Sequence, residues 1–280
     1  MSKIGQFIDH PSFTSIEDLL KKTHHLADGA GLVSSDQSAL WPALFDLPPH
    51  AEYDFDVRHF QSVTAENQIA PLTQALVSRN QFVAYAYSSA NSPWTAEDGF
   101  VQSCLSQNRN AKPLILHFSC GLSECALQFQ KRHGANVEIV HAGLQFHCTA
   151  REDIDQTLQY KMKISPLKEM DRLGILKSLE SVTNVGFQQL TWIHFELNGL
   201  MASQGGTWAT GLEMRELLPA MEWLMRQTRL QGLSIGPLPM THDSLPAKTA
   251  AQLLATVLYA YSHRRIVSSA HGKRPSEIFS

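Results

Sequence analysis

Three stretches of the sequence gather the side chains that could do chemistry, and each begins in an apolar run typical of a buried strand. They are HFSCGLSE (117–124), VHAGLQFHC (140–148) and IHFELNGL (193–200). Their titratable and polar groups are His117, Cys120, Ser123, Glu124, His141, Gln145, His147, Cys148, His194, Glu196 and Asn198. Because ligands bind beyond the carboxyl ends of strands in open parallel sheets, these groups indicate a candidate site.

One kind of site that these residues could form is a mononuclear metal centre. It would use His141 and Glu196 as two ligands. The third ligand would be His147, Cys148 or Gln145. Imidazole and thiolate suit zinc, which needs three protein ligands and an open position for water. The spacing of His141 and His147 is loose, so a loop histidine beside a packed thiol stays the alternative interpretation.

A metal-free site would instead use Cys120 as a nucleophile, with His117 or His141 as its base. Cys120 stands where a predicted strand gives way to a turn at Gly121, and the amino end of the next helix would favour its thiolate. A cysteine three residues after a histidine is also common in ordinary strand-end packing. Both interpretations remain open at the level of sequence.

Strand-like and helix-like segments alternate along the chain, which predicts a three-layer α/β/α fold with a mostly parallel central sheet. The apolar runs predict strands over 81–88, 113–119, 136–142, 189–197 and 232–238. Amphipathic periodicity predicts helices over 15–27, 66–79, 122–133, 212–229 and 246–262. Between 149 and 188 the pattern is polar and ambiguous.

Helix start signals accompany two of these predictions. Thr210 and Glu213 have the spacing of a capping box for the helix over 212–229. Pro219 inside that segment would kink the helix or delay its start. Ser244 and Pro246 are typical first residues of the last helix.

The composition is that of an ordinary globular chain, with 280 residues, 43% hydrophobic and 18% charged. It excludes the disordered, collagen-like and coiled-coil classes. The net charge of −3 includes no basic stripe, so nucleic acid is not an expected partner. We expect one domain over 1–280, with an exposed tail at 271–280.

The sequence also predicts where the protein resides. Asp9 and His10 interrupt the apolar residues near the start, so no signal peptide is expected. No stretch approaches the ~18 apolar residues of a membrane span, which argues against a membrane partner. The four cysteines form no CxxC pair, which favours reduced thiols and a cytoplasmic location.

A series of blocks in the C-terminal half resembles the ureohydrolases, the family of arginase, agmatinase and formimidoylglutamase. IHFELNGLMA (193–202) matches the family's strand ending in an S-F-D-x-D-x-x-D-P-like motif, and GGTWATGLEMRE (205–216) matches its G-T-P…G-G-L stretch. CGLSE (120–124) stands in the place of G-G-D-H-S, and HAGLQ (141–145) in that of D-A-H-x-D. YDFDV (53–57) is similar to an edge segment of the D-x-G-D-V type. The resemblance implies an arginase-like fold.

The resemblance also implies a site for two manganese ions, held by two histidines and four aspartates. Carried over position by position, these ligands fall on Ser123, His141, Gly143, Gln145, Glu196 and Asn198. Two neighbouring divalent cations need several anionic oxygens, and only Glu196 supplies a carboxylate here. We therefore expect no manganese cofactor. We expect His141 and Glu196 to form an ion pair across two adjacent strand ends instead.

For function, we expect an arginase-fold protein that is non-catalytic and has a binding, regulatory or structural role. Its partner would be an unknown protein or a small nitrogenous ligand, and the family implies a homo-oligomer. Trp208, Cys120 and His194 are expected to line the vacated pocket, where the indole would plug the space or stack on a ligand. The alternative is a hydrolase of C–N bonds in guanidino or amidino compounds, with the rebuilt metal or cysteine site described above.

Overall fold

The fold is described from a computed structural model. It covers residues 30–34, 40–45, 59–62, 66–88, 93–107, 112–183, 189–207, 209–239, 241 and 243–270. The predicted helix over 15–27, the YDFDV segment (53–57), Trp208 and the predicted tail over 271–280 lie outside these residues.

Eight strands form one sheet in which every neighbouring pair is parallel. Its spatial order is β2-β1-β3-β8-β7-β4-β5-β6. The strands are β1 (Ala30–Ser34), β2 (His59–Ser62), β3 (Phe82–Ser88), β4 (Leu114–Phe118), β5 (Glu138–Leu144), β6 (Lys163–Pro166), β7 (Leu190–Glu196) and β8 (Arg229–Leu238). The predicted α/β fold with a parallel central sheet is confirmed.

Helices connect the strands and cover both faces of the sheet. They are α1 (Leu40–Phe45), α2 (Ile69–Ser78), α3 (Thr95–Ser106), α4 (Glu124–His133), α5 (Arg151–Gln159), α6 (Leu167–Leu173), α7 (Ile175–Val182), α8 (Met214–Gln227) and α9 (Leu245–Ala270). Among the described residues, no helix is both long enough and apolar enough to span a bilayer.

The start of α8 differs from the predicted capping box. Glu213 is the residue before the helix but makes no side-chain capping bond. The N–H of Met214 donates instead to Oε1 of Gln204, over 2.7 Å. The hydroxyl of Thr210 donates to Gln145, so Thr210 is not available for the helix. The capping box was therefore wrong, although the helix itself is confirmed.

Two apolar cores lie on the two faces of the sheet, because successive strand residues point to opposite sides. Leu116 and Phe118 of β4 belong to the core that α1, α6, α7, α8 and α9 help to form. Ile115 belongs to the core built with α2, α3 and α4. His117 lies between Leu116 and Phe118 in the strand and so faces the second core.

A row of polar residues crosses the sheet on this second face. His117 is in register with His141 of β5 on one side and with His194 of β7 on the other. His194 is in register with Ser234 of β8, and Ser234 with Tyr85 of β3. The strand order therefore places three histidines side by side beneath α2, α3 and α4.

Candidate functional site

The three histidines occupy equivalent positions in three buried strands. Each follows an aliphatic residue, in Leu116–His117, Val140–His141 and Ile193–His194. His117 and His194 have no exposed surface, and His141 is 1% exposed. A buried imidazole needs hydrogen-bond partners, so the contacts of these rings define the chemistry of the site.

A directed chain of hydrogen bonds joins Glu196, His117 and His141. His117 Nε2 lies 3.1 Å from Glu196 Oε1, and its Nδ1 lies 2.8 Å from Nδ1 of His141. Because a carboxylate only accepts, His117 donates through Nε2. A neutral His117 then accepts at Nδ1 from the Nδ1–H of His141. This assignment leaves a lone pair on Nε2 of His141, an atom with no hydrogen-bond partner within the described part of the chain.

Glu196, the last residue of β7, is also bonded from the loop side. Ser119 Oγ lies 2.8 Å from Oε2 of Glu196, and Asn198 Nδ2 donates to the same oxygen over 3.0 Å. Burial raises the pKa of Glu196, but the charge and hydrogen bond of His117, with smaller effects of His194 and Ser119, outweigh it and lower the pKa. Glu196 is therefore a carboxylate at neutral pH.

His194 is held by a second carboxylate, Glu97 of α3. Its Nδ1 lies 2.7 Å from Glu97 Oε1, which also accepts from Nε1 of Trp192 over 2.9 Å. The hydroxyl of Tyr87 lies 3.1 Å from His194 Nε2. Burial and the nearby carboxylates raise the pKa of Tyr87 well above its ordinary value, so this hydroxyl keeps its proton and can donate to the ring. The indole of Trp94 stacks on the imidazole, with ring centroids 4.3 Å apart.

Two carboxylates are thus buried among imidazoles. Glu97 is 0% exposed and Glu196 is 7% exposed. Within the described residues, the ion-pair partners of both are histidines alone. Burial lowers the pKa of His117 and lowers that of His141 further, which favours the neutral form of both rings. Both carboxyl groups therefore lie in an apolar setting with only imidazoles as ion-pair partners within the described residues.

Three of the six positions carried over from the ureohydrolase site carry neutral polar side chains that form hydrogen bonds within the protein. Ser123 Oγ accepts the N–H of Ala126 at the start of α4. The side chain of Gln145 donates to the carbonyl of Thr210 and accepts from its hydroxyl. Asn198 is bonded to Glu196, as described above. Each of these polar groups is engaged by the protein itself.

Gly143 departs most from a metal-ligand position. Its φ is +83°, a conformation that residues with side chains rarely adopt. A Cβ added there would lie 3.3 Å from Cδ1 of Leu212. A histidine at this position would meet both backbone strain and a packed leucine. The donor set therefore does not fit two manganese ions.

The prediction of an ion pair between His141 and Glu196 is wrong, because each of them bonds to His117 instead. Strand β4 lies between β5 and β7, so the two strands that carry these residues are not adjacent. The imidazole of His117 fills the gap and bonds to both side chains. The interaction spans three strands rather than two.

The group of potential metal ligands also differs from the predicted one. His117, His194 and Glu196 each offer a ligand atom, and these atoms lie within 4.8 Å of one another. His147 is exposed on the short helix Phe146–Cys148, outside this group. His141 lies behind His117 and contacts it rather than Glu196.

Cys120 is buried at 4% exposure, at the turn between β4 and α4. Both ring nitrogens of His117 are engaged, by His141 and by Glu196, so this arrangement does not favour His117 as a base for the thiol. None of the four cysteines, all within the described residues, forms a disulfide. A polar groove of about 460 Å³ lies elsewhere, between α4 and α5, and shares no lining residue with the histidine row.

Glu97 was not among the predicted site residues, although its position in the sequence carries a signal. Phe100, Val101 and Cys104 follow it at three, four and seven residues, so Glu97 lies on the apolar stripe of α3. A carboxylate on a buried helix stripe needs a partner. Here that partner is His194.

Comparison with solved structures shows the ureohydrolase fold. Formimidoylglutamase from Bacillus subtilis matches with a TM-score of 0.67 at 14% identity, covering 84% of this chain and 87% of that one. A hypothetical agmatinase from Burkholderia thailandensis matches with a TM-score of 0.64 at 14% identity, covering 86% of this chain and 88% of that one. Arginase from Bacillus cereus matches with a TM-score of 0.61 at 14% identity, covering 82% of this chain and 97% of that one. Neither a protein-family model nor a curated protein matches the sequence.

Proposed function

We propose that this arginase-fold chain is a non-catalytic protein with a binding, regulatory or structural role. One observation carries the proposal: each polar side chain at the six family metal positions already makes a hydrogen bond within the protein. The partners are Ala126 for Ser123, His117 for His141, Thr210 for Gln145, and each other for Glu196 and Asn198. Such groups are not preorganised to receive two manganese ions. A binuclear site needs unshared anionic oxygens that converge on an open space.

Charge supports the same conclusion. Of the six positions only Glu196 carries a carboxylate, and three hydrogen-bond donors already surround it, from His117, Ser119 and Asn198. Four aspartates clustered without metal would repel one another at neutral pH. His141, Gln145 and Asn198 stand in place of three of those carboxylates and remove that repulsion, so the scaffold keeps its sheet without ions.

The test is a metal and turnover assay on the full-length protein. We expect less than about one equivalent of manganese per chain after purification from manganese-supplemented medium, and no urea from arginine or agmatine. The control is Glu196→Ala, which removes the one carboxylate of the six positions. Manganese-dependent turnover of a guanidino compound that Glu196→Ala abolishes would overturn the proposal.

A second function is favoured by one specific observation, the convergence of His117, His194 and Glu196. In this alternative the chain is a hydrolase of a C–N bond in guanidino or amidino compounds, with a rebuilt mononuclear metal centre. It requires turnover that depends on added zinc and disappears in His194→Gln. Zinc binding without turnover would leave the non-catalytic role as the better account.

The expected partner is a protein or a small nitrogenous ligand, and the expected assembly is a homo-oligomer. A thermal-shift panel of amino acids, polyamines and guanidino compounds tests the ligand, because a molecule that binds only the folded state raises the unfolding temperature. Size-exclusion chromatography with light scattering tests the oligomer. A monomer with no stabilising compound would favour a protein partner.

A further inference from the structure

We propose that His117, His194 and Glu196 form a mononuclear zinc site in the core beneath the sheet's carboxyl edge. The site shares only Glu196 with the six positions that the ureohydrolase resemblance implies. Its two histidines lie deeper in the sheet, on the row that faces α3. The site binds a metal whether or not the protein has a catalytic role.

The spacing of the ligand atoms fits one small cation. Glu196 Oε1 lies 3.1 Å from His117 Nε2 and 4.0 Å from His194 Nε2. Ligands about 2.0–2.2 Å from a tetrahedral zinc ion lie roughly 3.3–3.6 Å apart. The two observed distances lie on either side of this range. All three atoms lie within 4.8 Å of one another, so side-chain shifts on the order of 1 Å would bring them onto one ion.

Both histidines have the supporting contacts that metal-bound imidazoles usually have. A ligating histidine commonly donates its other ring N–H to a carboxylate or another acceptor, which fixes its orientation. His194 has such a contact, because its Nδ1 lies 2.7 Å from Glu97. His117 has one through His141, Nδ1 to Nδ1 at 2.8 Å.

Zinc binding at His117 requires a change of tautomer but no net loss of protons. The ion takes the Nε2 lone pair, so the proton of neutral His117 must sit on Nδ1. His141 then accepts that hydrogen bond at its own Nδ1 and carries its proton on Nε2. The change gives up the hydrogen bond from His117 to Glu196 in exchange for bonds to the ion, and it places a proton on His141 Nε2, which has no partner among the described residues.

The proposed ligands lie beside buried carboxylates. Glu97 and Glu196 are both buried, and their ion pairs within the described residues involve only histidines. Leaving an anionic group without a compensating charge in an apolar interior is costly. A divalent cation bound by His117, His194 and Glu196 would place positive charge in this setting.

The ligand types select zinc over manganese. Two imidazoles and one carboxylate are a recurrent zinc ligand set, and manganese prefers sites richer in carboxylates. The same set also suits ferrous iron, which makes the identity of the metal a separate outcome of the test. The hydroxyl of Tyr87 lies 3.1 Å from His194 Nε2 and would have to release this lone pair to the ion.

The first experiment is elemental analysis of the full-length protein, purified without chelator from medium supplemented with zinc, iron and manganese. We expect about one zinc per chain. Glu196→Gln and His194→Gln should each reduce zinc to a small fraction of that value. His147→Ala is the matched control, because it removes an exposed histidine outside the cluster and should leave zinc unchanged.

A second measurement applies where a buried substitution disturbs folding. The wild-type protein, stripped with chelator, should gain thermal stability on addition of zinc and much less on addition of manganese. Glu196→Gln should keep its circular dichroism spectrum but lose this response. Stoichiometric iron in place of zinc, absence of metal from the wild type, or equal loss of zinc in His147→Ala would overturn the proposal.

Discussion

The Nδ1 atoms of His117 and His141 lie 2.8 Å apart inside the sheet. Two ring nitrogens at this distance share one proton, so one ring donates and the other accepts. Glu196 accepts a hydrogen bond from Nε2–H of His117. The Nδ1 atom of a neutral His117 therefore has no proton and accepts from the Nδ1–H of His141. Protonation states on three neighbouring strands are therefore linked, and a change at one position is felt at the other two.

Removal of the donor ring should destabilise the fold. In His141→Leu, an apolar side chain of similar size leaves Nδ1 of His117 buried without its partner. A buried unsatisfied acceptor costs about 1–3 kcal/mol, and we expect a loss of this size in the free energy of unfolding, measured with urea at pH 8. His147→Leu, an exposed histidine, should change stability by less than about 0.5 kcal/mol. A neutral or stabilising effect of His141→Leu would contradict the hydrogen-bond chain.

Stability of the metal-free protein should fall as the solution is acidified below pH 6.5. Burial lowers the pKa of His117 and His141 below the ordinary value of 6.5, so below this pH the unfolded chain binds protons that the folded chain refuses. Each group contributes a slope of up to about 1.4 kcal/mol per pH unit. Urea titrations between pH 8 and 5 in the presence of chelator measure how the free energy of unfolding depends on pH. His141→Leu should show a shallower slope.

Glu196 should add a separate decline at lower pH. Its pKa is lowered from 4.5 to about 2, so the stabilisation is present above pH 4.5 and is lost as the pH falls toward 2. Glu196→Gln, which cannot ionise, should lack this second decline while retaining the one near pH 6.5. Identical acid profiles for the variant and the wild type would show that the carboxylate is not stabilised in the fold.

The sequence predicted the sheet well because buried parallel strands are nearly continuous apolar runs. Strands β3, β4, β5, β7 and β8 were found this way. Strands β1 (AGLVS), β2 (HFQS) and β6 (KISP) were not predicted, and β2 and β6 lack a continuous apolar run. The block order shared with the ureohydrolases supplied the fold where periodicity alone gave no strand order.

The candidate site was only partly predictable. The sequence singled out His117, His141, His194 and Glu196, and the structure brings all four together. It could not show that β4 separates β5 from β7, because strand order is a tertiary property. For the same reason it paired His141 with Glu196. Glu97 was left out although its place on the apolar stripe of α3 was readable.

Two glycines allow a test of why the family's histidine cannot be restored at position 143. Gly143 and Gly174 have nearly the same φ, +83° and +82°. A Cβ at Gly174 meets nothing within 4 Å, whereas one at Gly143 lies 3.3 Å from Leu212. Gly174→Ala should cost about 1–3 kcal/mol from backbone strain alone. Gly143→His should cost clearly more in urea unfolding, and equal costs would show that packing against Leu212 does not exclude a side chain.

Glu97 should act as a positioning residue for the proposed zinc ion. In Glu97→Gln the side-chain oxygen can still accept from His194 and Trp192, but the negative charge that strengthens the imidazole as a ligand is gone. Loss of such a supporting carboxylate typically weakens metal binding about 10- to 100-fold, and competition with a chromophoric chelator measures the change. Glu124→Gln at the exposed start of α4 is the control and should bind zinc as tightly as the wild type. Unchanged affinity in a folded Glu97→Gln protein would mean that the hydrogen bond to His194, without the negative charge, is enough to position the ring.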